Sequence, residues 1–521
     1  MTSGRLAELA RRDLTEYYGL GMHIDVGNDF WNALIYGTLK SLVERTDSSG
    51  FCQTSYGEEN GVKCYGETHY PRDTAEAARV LAAWGLVDLA LRILDFTLRN
   101  KPADQYYIPH VYRPDGSVKA NTVQVDTPAH VVRALARCIE LAGPEERSTD
   151  MFRQLDAILD GTWERHFHPE WQLLDAGNYN EQIEGDGLIC DLFTNCSLVS
   201  ALEAMIAMAR VFDRRSLIDK YETRREQLVR GIEGALHDTQ RDIYRVKVDL
   251  PSGRGCDQVN WVNLYCQRWY SGNTSAWDNI LDVLRQETTI CWDGMDVISG
   301  SSTREGVLGK FFGHLLAYLA QTGRFALLDR HLLFAEKTIK RPGNLYPEWW
   351  YYQDPEKLSE YQVGFWKIYS GIWKPYSTDP EGDYTMDSGN CEQCAAFLSH
   401  FTEDLLGVTV TDDGLDLCPR LPFRFSRVIV RNSPTRRIGD KPAHIGYELR
   451  RGTGRLEMTV SLEEDLPIRL AIPVGPDISR PTVELDGSPC VSYNLREQRD
   501  VTWLTIDSLP NKATTLVVKT N

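Results

Sequence analysis

The strongest constraint on this chain is a rhythm of helices. From residue 28 to 406, apolar residues recur at three- and four-residue spacing in about twelve successive segments. The connections alternate in length. Short breaks fall near 85, 145, 213, 273 and 323. Long ones cover 46–72, 102–124, 166–189, 238–256, 287–304 and 341–388. A short break makes neighbouring helices antiparallel. Long connections at every second junction then emerge at one end of the assembly. Six helical hairpins closed into a ring, an (α/α)6 toroid, meet this pattern. The helix after each long loop lines the inside. GHLLAYLAQTG and AHVVRALARC are apolar nearly all round, as inner helices must be. At 521 residues the chain is too long for one ordinary core but not for such a ring.

After Gly407 the period changes. RVIVRN, HIGYELRR, RLEMTVSL, IRLAIPVG, TVELDG and VTWLTIDSL alternate or run in short β-branched stretches between Gly, Pro and Asp-Gly breaks. The expected organisation is an N-terminal helical segment (1–27), the toroid (28–407) and a C-terminal β-sandwich (408–521). LDLCPRLPF is the expected link that docks the sandwich on the helices.

A formal charge of −17, with no basic run, argues against nucleic acid, an anionic membrane or a polyanionic polysaccharide as partner. The N-terminal MTSGRLAELARRDL lacks the apolar core of a signal peptide. No stretch is expected to approach the length of a membrane span. Twelve cysteines without a regular frame fit reduced thiols and a cytoplasmic protein. Cys391 and Cys394 form a lone CxxC, read as small apolar residues on a helix. HFHPE at 166–170 reads as a surface histidine pair at a helix end. No metal and no cofactor are implied.

The six long loops share one mouth, and loops on a rigid scaffold commonly carry chemistry. The third contains DAGNYNEQIEGDG, with Glu181, Glu184 and Asp186. The sixth contains NLYPEWWYYQD, with Glu348 beside Trp349 and Trp350. Aromatic faces stack on the C–H faces of sugar rings and exclude water. Desolvation raises a carboxyl pKa, as a general acid requires. Two carboxylates across a sugar ring make a glycosidase. The other loops offer Arg72 and Asp73, Gln124 and Asp126, Asp257 and Trp261, and Trp292, all suited to sugar hydroxyls or ring faces. Asp73 equally suits an N-cap, as do Glu181 and Asp186 a helix-start role.

YPRD before an amphipathic hairpin resembles the glucoamylase-like inverting glycoside hydrolases, whose first inner helix opens with a similar Arg-Asp pair. QVDTPAHVVRAL resembles their second inner helix. The resemblance places NYNEQIEG at their general acid and YPEWW at their general base, which implies Glu181 as acid and Glu348 as base. Two departures stand out. The β-domain follows the helices instead of preceding them, as in α-L-rhamnosidases and disaccharide phosphorylases of related folds. The family's tryptophan-flanked acid segment is replaced by NYNEQ.

The expected activity is an exo-acting, inverting hydrolysis of a small glycoside or oligosaccharide. Arg72, Asp73, Gln124, Asp126, Asp186, Asp257, Trp261, Trp292, Trp349 and Trp350 are the expected sugar binders. Alternatives on the same fold are a phosphorylase, an α-L-rhamnosidase-type enzyme and a lyase. A sugar isomerase or a non-catalytic binder of carbohydrate completes the set.

Overall fold

In the computed structural model the described residues are 2–54, 58–59, 62–63, 67–178, 188–250, 252–292, 295–300, 306–339, 346, 349–352, 384–386, 390–411, 414–438, 441–463, 466–475, 481–490, 492–509 and 513–519. For 58–59, 62–63, 292, 306, 349–352, 384–386, 438, 441–442 and 513 the backbone alone is described.

The helical rhythm is realised as α1 (Ser3–Tyr18), α2 (Asp29–Glu44), α3 (Pro71–Ala83), α4 (Val87–Arg99), α5 (Thr127–Ala142), α6 (Glu146–His166), α7 (Leu192–Val211), α8 (Arg215–Gly231), α9 (Trp261–Tyr265), α10 (Thr274–Glu287), α11 (Gly309–Gln321), α12 (Phe325–Thr338) and α13 (Cys391–Ser399). The pairs α3/α4, α5/α6, α7/α8, α9/α10 and α11/α12 are joined by the short breaks. Packing neighbours run α3–α5–α7–α9–α11–α13 and back to α3, so these six helices form a closed circuit. The other member of each pair packs outside its partner, and α2 packs against α13 and α3. Burial agrees: every residue of α11 from Gly309 to Ala320 is buried, whereas α8 buries only Tyr221, Leu228 and Gly231.

Several elements differ from their sequence reading. The segment after Leu264 turns into a 3₁₀ turn at Cys266–Arg268, which leaves α9 short. The stretch before α11 is not helical: Gly306–Leu308 is a strand, and Gly309 opens the helix. α8 and α13 each end in a π-helical turn, Ile232–Leu236 and His400–Leu405. The expectation about membrane-length stretches is corrected by α7, which is long and apolar enough by length and composition; 78% of that window is buried in the protein. Its all-round apolarity answers to its place in the inner circuit.

The C-terminal region holds two sheets. One has seven strands, ordered His23–Asp25, Arg427–Ile438, Lys441–Gly452, Arg455–Leu462, Ala513–Lys519, Thr482–Leu485 and Ser488–Pro489, all antiparallel. The other has five: Val408–Val410, Leu415–Leu417, Ile468–Gly475, Val501–Ile506 and Asn494–Gln498. Strand Arg455–Leu462 alternates, burying Leu456, Met458, Val460 and Leu462. The segment before residue 28 is therefore not only helical. Its His23–Asp25 pairs with Ile429–Arg431 and covers that edge of the larger sheet. The LDLCPRLP link folds back on the end of the helical region, with Cys418 N–H donating to Gly407 O at 2.7 Å and Arg420 N–H to Leu405 O at 2.8 Å. Gly407 has φ +69°, and a Cβ there would lie 1.8 Å from the Cys418 carbonyl oxygen, so only glycine fits.

Candidate active site

Each inner helix follows a long connection, so all six start at the same end of the circuit. Their starts bring together Arg72 and Asp73 on α3, Asp126 before α5, Phe193 on α7, Trp261 on α9, Lys310 on α11, and Asn390 and Glu392 at α13. All eight are buried. Charges so deeply placed must satisfy one another.

Asp73 is not the cap of α3. The cap position is Tyr70, Pro71 takes the first helical position, and Asp73 sits in the first turn, where the helix dipole favours a carboxylate. Its Oδ2 accepts from Asn390 Nδ2 at 3.1 Å, and Oδ1 from Arg72 Nε at 3.4 Å. Asn390 caps α13 at the same time, its Oδ1 accepting from Glu392 N–H at 2.7 Å. One side-chain amide thus caps the last inner helix and joins it to the first. Asp126 occupies the cap position of α5, but its side chain makes no capping bond there. Its Oδ2 instead faces Arg72 Nη1 at 3.8 Å and His130 Nε2 at 3.6 Å.

Lys310 and Glu392 are 2% and 1% exposed, with Lys310 Nζ 3.0 Å from Glu392 Oε2. Arg72 Nη2 approaches the same oxygen at 3.9 Å. The ammonium lies 5.1 Å from the Trp261 ring centre and 5.8 Å from that of Phe193, and Arg72 Cζ lies 5.9 Å from Phe193. Aromatic faces stabilise both cations while keeping water away. The result is a floor of two cations and three carboxylates walled by rings, which can donate to and accept from hydroxyl groups.

One turn deeper, Glu76 Oε1 accepts from His130 Nδ1 at 2.9 Å and Arg133 Nη2 at 2.6 Å; Oε2 faces Arg268 Nη2 at 3.3 Å and Arg79 Nε at 3.4 Å. Burial alone would raise this carboxyl. The guanidiniums of Arg268 and Arg133, with the His130 hydrogen bond, outweigh that and hold it well below its ordinary range.

Gln124 is buried. Its Oε1 accepts from Thr127 Oγ1 at 3.1 Å, and residue 124 forms a β-bridge with Gly177. That bridge fixes the near side of the third loop, together with Asn178 N–H donating to Val123 O at 3.1 Å. His166 and His168 bond opposite oxygens of Asp175, both at 2.9 Å. They are half-buried anchors of that loop's stem, not the surface pair read from the sequence. The far side is held by strand Ile189–Asp191, paired with Lys247–Asp249. Glu181, Glu184 and Asp186 lie outside the described residues.

In the sixth loop, Tyr346 is buried, donates to Gly309 O at 3.0 Å and stacks on Phe397 at 4.4 Å. Backbone pairing sets residue 349 opposite Leu308, directly before α11. Glu348 lies outside the described residues, as do the side chains of Trp292, Trp349 and Trp350. Asp257 does not join the floor. Its side chain is 81% exposed, and its nearest described cation is Arg245 at 3.9 Å. The connection before α9 runs along the surface there, so nothing draws the carboxylate inward. Cys391 and Cys394 lie buried on α13, and the described cysteines form no disulfide with one another. Among the described residues no cluster of three or more His, Cys, Asp or Glu is placed to hold a metal.

Sequence reasoning missed Asn390, Glu392 and Lys310. NCEQC draws attention to its cysteines, which leaves Asn390 before them and Glu392 between them unread. A signal was available: an Asn cap beside Glu on a helix already read as the last inner one.

This arrangement of helices and sheets is the fold of a group of carbohydrate-cleaving enzymes of known structure. No protein-family model matches the sequence, and no curated protein sequence does. Among similar solved structures is an α-L-rhamnosidase from Dictyoglumus thermophilum, with TM-score 0.61 and 10% identity over 96% of this chain and 50% of that one. An α-L-rhamnosidase from Streptomyces avermitilis, complexed with L-rhamnose, gives 0.60 and 13% over 96% and 42%. A glycosidase solved as its E335A variant in complex with glucose gives 0.53 and 13% over 71% and 95%. The chain spans about half the length of the rhamnosidases it matches.

Proposed function

We propose that this chain is an exo-acting glycoside hydrolase built on an (α/α)6 toroid, and that it inverts the anomeric centre. The observation that carries the reading is the floor at the common mouth of six inner helices, where Arg72, Asp73, Asp126, Lys310, Asn390 and Glu392 meet against Trp261 and Phe193. Buried polar groups that alternate donor and acceptor beside aromatic faces suit a sugar ring and its hydroxyls. The shared fold with glycosidases supports the same class.

In this reading Glu181 protonates the glycosidic oxygen as the bond from the anomeric carbon breaks. Glu348 takes a proton from a water that attacks the opposite face. Inversion needs the two carboxyl groups roughly 6.5–9.5 Å apart, with that water between. Arg72 and Asp73 bind hydroxyls of the terminal sugar, and Trp261 closes its side. No cofactor takes part.

L-Rhamnose is the glycone to test first. The rhamnosidase matches extend over both the helices and the C-terminal sheets, 96% of the chain, whereas the glucose-bound glycosidase covers 71%. The test is proton NMR of the first-formed sugar from aryl α-L-rhamnosides and aryl glucosides. The expected product has the opposite anomeric configuration to the substrate. A retained anomer refutes inversion, and an enzyme fully active as Glu348→Gln refutes the assigned base. Consumption of phosphate in place of water would identify a phosphorylase.

A further inference from the structure

A second polar cleft, of about 200 Å³, lies at the other end of the inner circuit. Its lining includes Arg79, Arg133, Arg268, His314, His400 and Asp404. Arg79 and Arg133 follow Arg72 and Asp126 by seven residues on the same helices, about 10 Å along the axis. The cleft is therefore separate from the mouth.

Three of its lining groups are more than nine-tenths buried and keep polar atoms without a hydrogen-bond partner among the described residues: Arg133 Nη1, both ring nitrogens of His314, and His400 Nε2. The Leu264 backbone lies against the His314 ring, so the orphaned atoms that define the cleft are Arg133 Nη1 and His400 Nε2. The cleft is lined by three guanidiniums, of Arg79, Arg133 and Arg268, and two carboxylates, of Glu403 and Asp404; Glu76, outside the lining, contacts all three guanidiniums. The carboxylates are committed: Glu403 accepts from Arg79 Nη1 at 2.9 and 3.1 Å, and Asp404 from Gln321 Nε2 at 2.8 Å and His400 Nδ1 at 2.7 Å. Arg133, stacked 4.7 Å from the Trp269 ring centre, is pulled down to about 10 by burial. Its Nη1 has no acceptor among the described residues.

The imidazoles refine the ligand. The Asp404 carboxylate accepts, so His400 Nδ1 carries the proton. Burial disfavours a second proton, so Nε2 presents a lone pair. His314 is likewise held neutral by burial, with one N–H and one lone pair. The site therefore asks for a small anion that accepts from a guanidinium and also donates an O–H.

We propose that this cleft binds a protonated oxyanion of the hydrogen-phosphate type, with Arg133 Nη1 donating to an anionic oxygen and His400 Nε2 accepting from the P–OH. Placed two helical turns, about 10 Å, from the mouth, the anion is a bound ligand and not a co-substrate. A guanidinium fork suits phosphate oxygens. Sulfate, which has no O–H near neutral pH, leaves the imidazole lone pair facing an acceptor.

The test is calorimetric titration of the full chain with inorganic phosphate and with sulfate, together with crystals soaked in phosphate. The expected result is one phosphate per chain, with density against Arg133 and His400, and sulfate weaker by about tenfold or more, the equivalent of about 1.4 kcal/mol. Arg133→Gln should weaken phosphate at least about tenfold. His400→Leu, which removes the assigned acceptor and lies outside the Glu76 network, provides the same reading if the arginine variant fails to fold. Absence of saturable phosphate binding, sulfate binding as tightly as phosphate, or unchanged phosphate affinity in the folded variants overturns the proposal.

Discussion

Glu76→Gln tests whether the buried network beneath the floor is an interdependent unit. Glu76 is wholly buried and meets His130, Arg133, Arg268 and Arg79 within 3.4 Å. Glutamine preserves the shape but removes the charge and turns an NH2 group toward guanidiniums. Breaking a buried ion pair by removing one partner costs about 3–5 kcal/mol. The same loss is expected here, as a lower midpoint in urea at unchanged slope, followed by tryptophan fluorescence. The pH dependence has a definite sign. The folded pKa of Glu76 lies below its ordinary value of 4.5, so its contribution is complete above pH 4.5 and fades as pH falls through the folded value. The stability gap between wild type and variant should be constant from neutral pH down to that point and close only below it. His130 links Glu76 to Asp126, so the folded variant should also show a raised KM. A loss below about 1 kcal/mol, the range of exposed ion pairs, would refute the reasoning. So would a gap that narrows between pH 7 and 5.

Asn390→Asp keeps the α13 cap but sets a carboxylate against Asp73. KM for the glycoside should rise while the melting temperature falls less than in Asn390→Ala, which also loses a cap worth about 0.5–2 kcal/mol. Lys310→Met removes the ammonium 3.0 Å from the buried Glu392 carboxylate, and denaturant titration should show a loss of about 3–5 kcal/mol, partly recovered in Lys310→Met/Glu392→Gln. Removing residues 1–27 uncovers the edge of strand Arg427–Ile438, and light scattering should show association that the full chain lacks. Gly407→Ala meets both a positive φ and the Cys418 carbonyl, so unfolding should show a loss above about 1 kcal/mol.

The helical pairs could be read residue by residue because amphipathic spacing is a local property. DTPAHVVRAL announces α5 by its apolar stripe and its proline at the helix start. Val307 and Leu308 continue the apolar spacing of α11 and read as part of that helix. Pairing with strand Trp349–Tyr352, a partner some forty residues on, makes them part of a strand instead. Short strands such as Asn494–Gln498 escaped for the same reason: LRE carries no strong alternation of its own, and Val501–Ile506 supplies its hydrogen bonds. Within the candidate site, Arg72, Asp73, Asp126 and Trp261 stood out at helix starts. Lys310 did not, because a lysine among phenylalanines reads as a chance surface residue until Glu392 is placed 3.0 Å away.

The sequence by itself determined the long helices, the longer strands, and which helix ends carry polar groups. Spacing and capping act within a few residues, and the chain displays them directly. Only the tertiary structure decided that α13 closes on α3, so that Asn390 reaches Asp73 across 317 positions. It alone laid His23–Asp25 along a sheet formed some four hundred residues later. Such meetings depend on how whole helices and sheets pack, through contacts whose partners are far apart in the chain and leave no periodic mark in either segment.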